Sequence, residues 1–261
     1  MKVVIDNKSS GKRELFIAIF NVIKNCSSIV NLFFKEDYLY IQSMDRAHVC
    51  LFEVKIKKEW FSSYTKNSGD KEVIGMATQT LFAILSTSTS SHDIVLHYEG
   101  DPDTLNMDVT LNKGDKGEFD CFYKIPIVIC DYDLLDIPNT DYDAEFSMTA
   151  KKASDIISRM SLFGETIQCH CDEERVDFIA NGVNGEMKVN IPIDDLNEYA
   201  ISEGVEVNLG YNLNYLNKIC ISNRLSDNIE FYISNDCPMK IKYDLGEESF
   251  MYFFLAPKVE D

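Results

Sequence analysis

Apolar positions along this chain change their period several times, and each change marks an element. In RELFIAIFNVIK (13–24), Leu15, Ala18, Ile19 and Val22 recur at i, i+3, i+4 and i+7, the stripe of an amphipathic helix. A second apolar line, Phe16, Phe20 and Ile23, follows the same helix. Alternation then takes over. Residues 38–56, YLYIQSMDRAHVCLFEVKI, read as two strands of a hairpin joined at Met44-Asp45-Arg46-Ala47-His48, a corner without the Asn-Gly or Asp-Gly pair of a tight turn. Past the corner, Cys50, Phe52, Val54 and Ile56 form one apolar face, as a core-facing strand should. The opposite face begins apolar with Val49 and Leu51 and turns charged at Glu53 and Lys55. An apolar patch is thus left at one end of a solvated face, the mark of a binding site, unless a neighbouring segment packs there as core.

The pattern recurs. A shift of 138 places Leu15, Ala18, Ile19 and Val22 on Ala153, Ile156, Ile157 and Met160, Ile29 on Ile167, Tyr40-Ile41 on Phe178-Ile179, and Val49 and Leu51 on Met187 and Val189. The register drifts afterwards, as loop insertions would make it. Leu81 and Ile84 pair with Leu213 and Leu216 at 132, residues 93–98 with 228–233 at 135, and 119–126 with 250–257 at 131. Each half reads helix, two strands, further strands, helix, three strands. Two α+β domains follow, with antiparallel sheets covered by two helices each. We place the first at 1–126 and the second at 144–261. The stretch between them, IVICDYDLLDIPNTDYD (127–143), holds five Asp and one Pro and no sustained period, as a connector would.

Composition narrows the class. At 261 residues and 45% hydrophobic, the chain can bury a substantial core. Eight cysteines follow no paired-loop spacing, and no apolar leader precedes them, so free thiols in a reducing compartment are expected. No apolar run approaches the roughly 20 residues of a membrane span. Cys169-His170-Cys171 lacks a second ligand pair, and its cysteines share one strand face, so packing is expected and no metal. Phosphate-binding, dinucleotide-binding and hydrolase motifs are absent. No catalytic constellation and no cofactor are expected. The net charge of −18 argues against nucleic acid in total, though distribution decides.

Three stretches, IQSMDRAHV (41–49), LLDIP (134–138) and FLAPKVED (254–261), together with the internal repeat, resemble the DNA sliding clamps of the proliferating cell nuclear antigen family. The resemblance covers essentially the whole chain. It implies the DNA-clamp fold: two similar domains with sheets outside and helices lining a central channel. It also implies a homotrimeric ring around duplex DNA that serves as polymerase processivity factor and docking platform. Implied partners are DNA without sequence preference, a DNA polymerase, other replication and repair proteins, an ATP-driven clamp loader and copies of itself, with no membrane. The implied compartment is the nucleus, although no Lys/Arg run resembles an import signal, and a cytoplasmic or viral replication site is the alternative. The rival function is a clamp-fold protein working as monomer or dimer, or as a subunit of a heterotrimeric checkpoint-type clamp.

Carried over residue by residue, the resemblance implies a pocket for partner peptides at Met44, His48, Val49, Leu51, Leu135, Ile137, Pro138, Pro238, Phe254, Leu255, Ala256 and Pro257. Its ligand would be a short motif of Gln, an aliphatic residue and two aromatics, docked as one helical turn. Phe253 and Phe254 stand where the family usually has tyrosines. The DNA-facing side chains would be Lys12, Arg13, Lys24, Lys151, Lys152, Arg159, Lys218 and Arg224, contacts that position without reading sequence. Two departures thin that charge: Phe16, Phe20 and Ile23 fall on the side that should face the channel, and the helix before STSTSS (86–91) carries no Lys or Arg. Subunits would join by strand pairing of 117–125 with 186–191, through Phe119, Cys121 and Tyr123 on one edge and Met187, Val189 and Ile191 on the other. The family's modified lysine falls at Glu173.

Overall fold

The computed structural model describes residues 1–8, 11–66, 72–99, 105–114, 116–129, 134–222 and 224–258. The chain packs into two compact units. The first takes Met1–Ser43, Glu53–Leu134 and Leu245–Phe250; the second takes Met44–Phe52, Leu135–Asp244 and Met251–Asp261.

In the first unit the strands are β1 (Lys2–Ile5), β2 (Ile29–Phe34), β3 (Tyr38–Met44), β4 (Cys50–Lys57), β5 (Ser63–Thr65), β6 (Val73–Ala77), β7 (His92–His97), β8 (Asn106–Lys113) and β9 (Cys121–Pro126), except that Met44 of β3 and the first three residues of β4 are grouped with the second. Helix α1 (Lys12–Cys26) follows β1, and α2 (Thr78–Leu85) follows β6. One sheet runs β5-β1-β7-β8-β9, and β4-β3-β2-β6 lie side by side in another. Pairing in both sheets is antiparallel, with Val3 opposite Leu96 in one and Leu32 opposite Ile41 in the other.

The second unit repeats this scheme. Its strands are β10 (Ala144–Thr149), β11 (Thr166–Cys171), β12 (Arg175–Gly182), β13 (Gly185–Pro192), β14 (Glu198–Ile201), β15 (Val207–Asn212), β16 (Asn228–Ser234), β17 (Cys237–Gly246) and β18 (Ser249–Leu255), except that the end of β17 and the start of β18, Leu245–Phe250, are grouped with the first. Helices α3 (Ala150–Met160) and α4 (Leu213–Ile219) follow β10 and β15. The orders are β14-β10-β16-β17-β18 and β13-β12-β11-β15, those of the first unit with nine added to every strand number. The sequence repeat is therefore a structural one, and it includes a leading strand (β1, β10) that periodicity alone had not marked.

Strand periodicity explains the burial. Along β4, Cys50, Phe52, Val54 and Ile56 are buried while Leu51, Glu53, Lys55 and Lys57 are partly open. Along β18, Ser249, Met251, Phe253 and Leu255 point inward, leaving Phe250, Tyr252 and Phe254 on the outer side.

Helix α1 departs from expectation. Phe16, Phe20 and Ile23 are fully buried, so they do not face a channel. Phe16 packs against Phe20, Trp60 and Phe61, with ring centroids 5.1, 6.3 and 6.4 Å away. Trp60 itself is anchored by its indole N–H, which donates to the Leu245 carbonyl at 2.9 Å. The second apolar line exists because these aromatics cover it.

Candidate partner-binding and DNA-facing surfaces

The corner between β3 and β4 is built on Asp45. Its carboxylate accepts from the backbone N–H of Ala47, Val49 and Cys50 at 2.9, 2.8 and 2.7 Å. The Tyr215 hydroxyl, on α4, donates to it at 2.7 Å. Burial pushes the Asp45 carboxyl up, but the Cys50 N–H, the Tyr215 hydroxyl and the other two amides together hold it below the usual aspartate range. His48 takes a left-handed backbone, φ 57°, and stays exposed. One carboxylate thus does the work that Asn-Gly does in a tight turn. The signal was a lone Asp within an unusual corner, and sequence reading passed over it in favour of Met44 and His48.

The C-terminal segment lies along this corner. The Ala256 N–H donates to the Val49 carbonyl at 3.0 Å, and the Lys258 N–H to Gly210 at 2.7 Å. Lys258 Nζ donates to Thr166 Oγ1 at 2.8 Å. Met44, Val49, Leu51, Phe254, Ala256 and Pro257 are half-buried, and His48 and Pro238 exposed. Leu135 is 44% exposed in the segment that leads to β10, followed by half-buried Ile137 and exposed Pro138. All belong to the second unit. Leu255 corrects the expected set: the alternation of β18 turns it inward and buries it completely, so it supports the surface from beneath.

The eight basic residues divide by unit. Lys12 Nζ is held by the Trp60 carbonyl at 2.7 Å and Glu247 at 2.8 Å. Arg13, its side chain only 11% exposed, donates to the Ser88 carbonyl at 3.0 Å and pairs with Glu14. Lys24 Nζ sits 4.0 Å from the ring centre of Phe82. These three make contacts inside the first unit. Lys151, Lys152, Arg159, Lys218 and Arg224, in the second unit, are exposed.

β9 and β13 end their sheets with one backbone edge unpaired among the described residues. On β9, Cys121 and Tyr123 are half-buried and Phe122 points out, 76% exposed. Phe119 stands outside the strand. It precedes β9 and is 77% exposed, because a turn at Gly117 (φ 107°) and a hydrogen bond from the Lys113 N–H to Asp120 Oδ1 shorten the strand. Phe122 is the exposed aromatic that sequence reading missed. On β13, Met187 and Val189 are half-buried, but Ile191 is core at 7% exposure.

Cys169 and Cys171 are both buried on one face of β11. A hydrogen bond with Cys171, together with burial, keeps the Cys169 thiol protonated well above its ordinary range. His170 points away, toward Glu206 at 2.5 Å. Glu173 is exposed in the turn before β12. No helix among the described residues is long and apolar enough to cross a membrane.

Residues 10–133 match the sequence model of the proliferating cell nuclear antigen N-terminal domain, and residues 136–258 that of its C-terminal domain. The proliferating cell nuclear antigen of Saccharomyces cerevisiae is 28% identical over 252 residues, 95% of each chain. That of Chaetomium thermophilum is 26% identical over 252 residues, 94% of this chain and 93% of the relative. Among solved structures, the PCNA2–PCNA3 complex from Sulfolobus tokodaii superposes with a TM-score of 0.85 at 20% identity over 100% of both chains. The PCNA of Thermococcus kodakaraensis gives 0.85 at 18% identity, over 98% of this chain and 99% of that one.

Proposed function

The chain belongs to the proliferating cell nuclear antigen family and is a sliding clamp and processivity factor with the DNA-clamp fold; from this premise we propose how its surfaces divide that work. Three copies close a ring around duplex DNA. The free edges of β9 and β13 pair between neighbouring subunits through Cys121, Phe122 and Tyr123 on one side and Met187 and Val189 on the other. A head-to-tail contact of this kind closes when each step turns by a third, and closure covers edges that would otherwise invite aggregation.

DNA is held by topology more than by affinity. Lys151, Lys152, Arg159, Lys218 and Arg224 face the phosphates, and acid elsewhere accounts for the net charge of −18. The contacts are sequence-independent and weaken steeply with salt.

Partner peptides dock on Met44, His48, Val49, Leu51, Leu135, Ile137, Pro138, Pro238, Phe254, Ala256 and Pro257. The polymerase and other replication and repair proteins use this one surface, and an ATP-driven loader opens the ring. The chain works in the nucleus as a scaffold and not as an enzyme.

The observation that carries this reading is the match of both halves, in order, to the two domains of the family. Light scattering across a dilution series tests the ring. Three times 29.8 kDa at every concentration is the expected mass. A stable monomer or dimer overturns it and favours the rival in which the clamp fold acts without a homotrimer.

A further inference from the structure

One lysine on the outer face of the second unit is held in an unusual way. Lys240 Nζ lies 3.9 Å from the ring centre of Tyr232, 5.0 Å from that of Tyr142 and 5.7 Å from that of Tyr252. Tyr142 and Tyr232 meet at 5.6 Å. Among the described residues no carboxylate stands within ion-pair distance of Lys240, whereas Lys242, the next residue on the same strand face, pairs with Glu230 at 3.0 Å. The rings are fixed from behind. The Tyr232 hydroxyl donates to Glu230. The ammonium therefore has ring faces on its flanks and, among the described residues, no acceptor matched to its three N–H groups.

The place of this cluster matters as much as its chemistry. Pro238 and Lys240 alternate onto one face of β17, and Tyr252 and Phe254 onto the neighbouring face of β18. The rings of Tyr252 and Phe254 are 6.4 Å apart. Tyr142 lies four residues beyond Pro138. The caged lysine is thus continuous with the docking surface proposed above, at its Pro238–Phe254 end. On its far side the face turns acidic, where Glu145, Glu198 and Glu230 line a groove with Tyr199 and Tyr232.

Resting on the docking surface assigned above, we propose that Lys240 and its three tyrosines form an accessory subsite that takes a single carboxylate, an Asp or Glu side chain flanking the aromatic anchors of a partner peptide. The argument is charge complementarity. On a chain of net charge −18, an unpaired cation fixed beside an apolar surface selects an acidic flank, where the remainder of the surface would select a basic one. Preorganised rings keep the ordering cost low, because they already flank the ammonium before the peptide arrives. The Glu145 side of the face repels a second acid, so one carboxylate is preferred over a run of them.

The test is a set of fluorescent peptides carrying the Gln, aliphatic and double-aromatic motif, with Glu, Gln or Lys placed in turn at each of the four positions after the aromatics. Affinity is measured by anisotropy at low and moderate salt. With the unaltered protein, Glu at one position should bind about threefold to tenfold tighter than Gln, with Lys weakest there. Lys240→Gln should erase that ranking and leave the Gln peptide unchanged, while Tyr232→Phe, which keeps the ring, should preserve it. Leu135→Ala, on the connector, should weaken all peptides alike. Equal affinity of Glu and Gln peptides at all four positions, or a ranking that survives Lys240→Gln, overturns the subsite and leaves the docking surface standing. Failure of every peptide to bind the unaltered protein overturns the docking surface itself, and the subsite with it.

Discussion

Helix α1 and helix α3 stand at equivalent places in the two units, yet α1 buries six side chains and α3 four. The difference lies at three equivalent pairs of positions, Phe16, Phe20 and Ile23 in one helix and Ser154, Ser158 and Ser161 in the other. It extends to what covers them. The single 3-10 turn after β4 ends in Trp60 followed by Phe61, both buried, whereas the turn after β13 ends in Asp195 followed by Leu196, one exposed and one half-buried. In the first unit large aromatics pack onto the helix and its lysine and arginine are drawn into local contacts. In the second the same face is left polar, and its basic residues stay exposed, Lys218 resting 5.3 Å from the ring centre of Tyr215. A duplicated scaffold has put its stability mainly in one copy of the helix and its available charge in the other.

Exchanging the residues is the strongest way to break that contrast. Phe20→Ser, which installs the residue of α3 in α1, should cost about 3–5 kcal/mol, because it removes a buried ring and leaves a hydroxyl in the hole. Chemical denaturation reads the loss, and Ser158→Ala on α3 should stay within about 0.5 kcal/mol of the starting protein. A small effect at Phe20 would mean that the Trp60 cluster does not bear on stability.

The two hairpin corners differ in the same spirit. β12 and β13 turn tightly, with Gly182 opposite Gly185 and Gly185 at φ 109°. The β3–β4 corner relies on Asp45 instead. Asp45→Ala should destabilise by about 1–3 kcal/mol, because the Cys50 N–H is buried and loses its acceptor. The same residue sets a pH dependence. Its folded pKa lies below the unfolded value of 3.8, so its contribution is fully present above that value and is lost as the pH falls through the lower folded pKa. Acid unfolding of Asp45→Ala should accordingly show a shallower loss of stability below about pH 4. Parallel acid curves for both proteins would contradict this account.

For DNA, the asymmetry predicts that Lys151→Ala with Lys152→Ala lowers the slope of log affinity against log salt by about 0.9 for each phosphate contact removed. Arg13→Ala should leave that slope unchanged. An equal change from both would erase the distinction between units. The smallest effect concerns Lys24, whose replacement by Met should cost only about 0.5–1 kcal/mol, the worth of an exposed cation–π contact with Phe82.

Much of this was legible in advance. The repeat, the alternation of β4 and the shared inward face of Cys169 and Cys171 all follow from period, since a strand's side chains alternate whatever else surrounds them. Period also turns Leu255 inward, next to the inward Phe253, and the resemblance-based set had overlooked this. What period does not carry is partnership across long sequence separations. The burial of Phe16 depends on Trp60, 44 positions away, the role of Asp45 on Tyr215, 170 positions away, and the isolation of Lys240 on Tyr142, Tyr232 and Tyr252 converging from three segments.

The sequence by itself determined the two-fold repeat, the element types and the family, because hydrophobic period and short motifs are local and survive at low identity. Only the tertiary structure decided which lysines are free, which aromatics are core and which carboxylate holds the corner. Those properties depend on which side chains, distant along the chain, share a face once packed, and no local pattern records that.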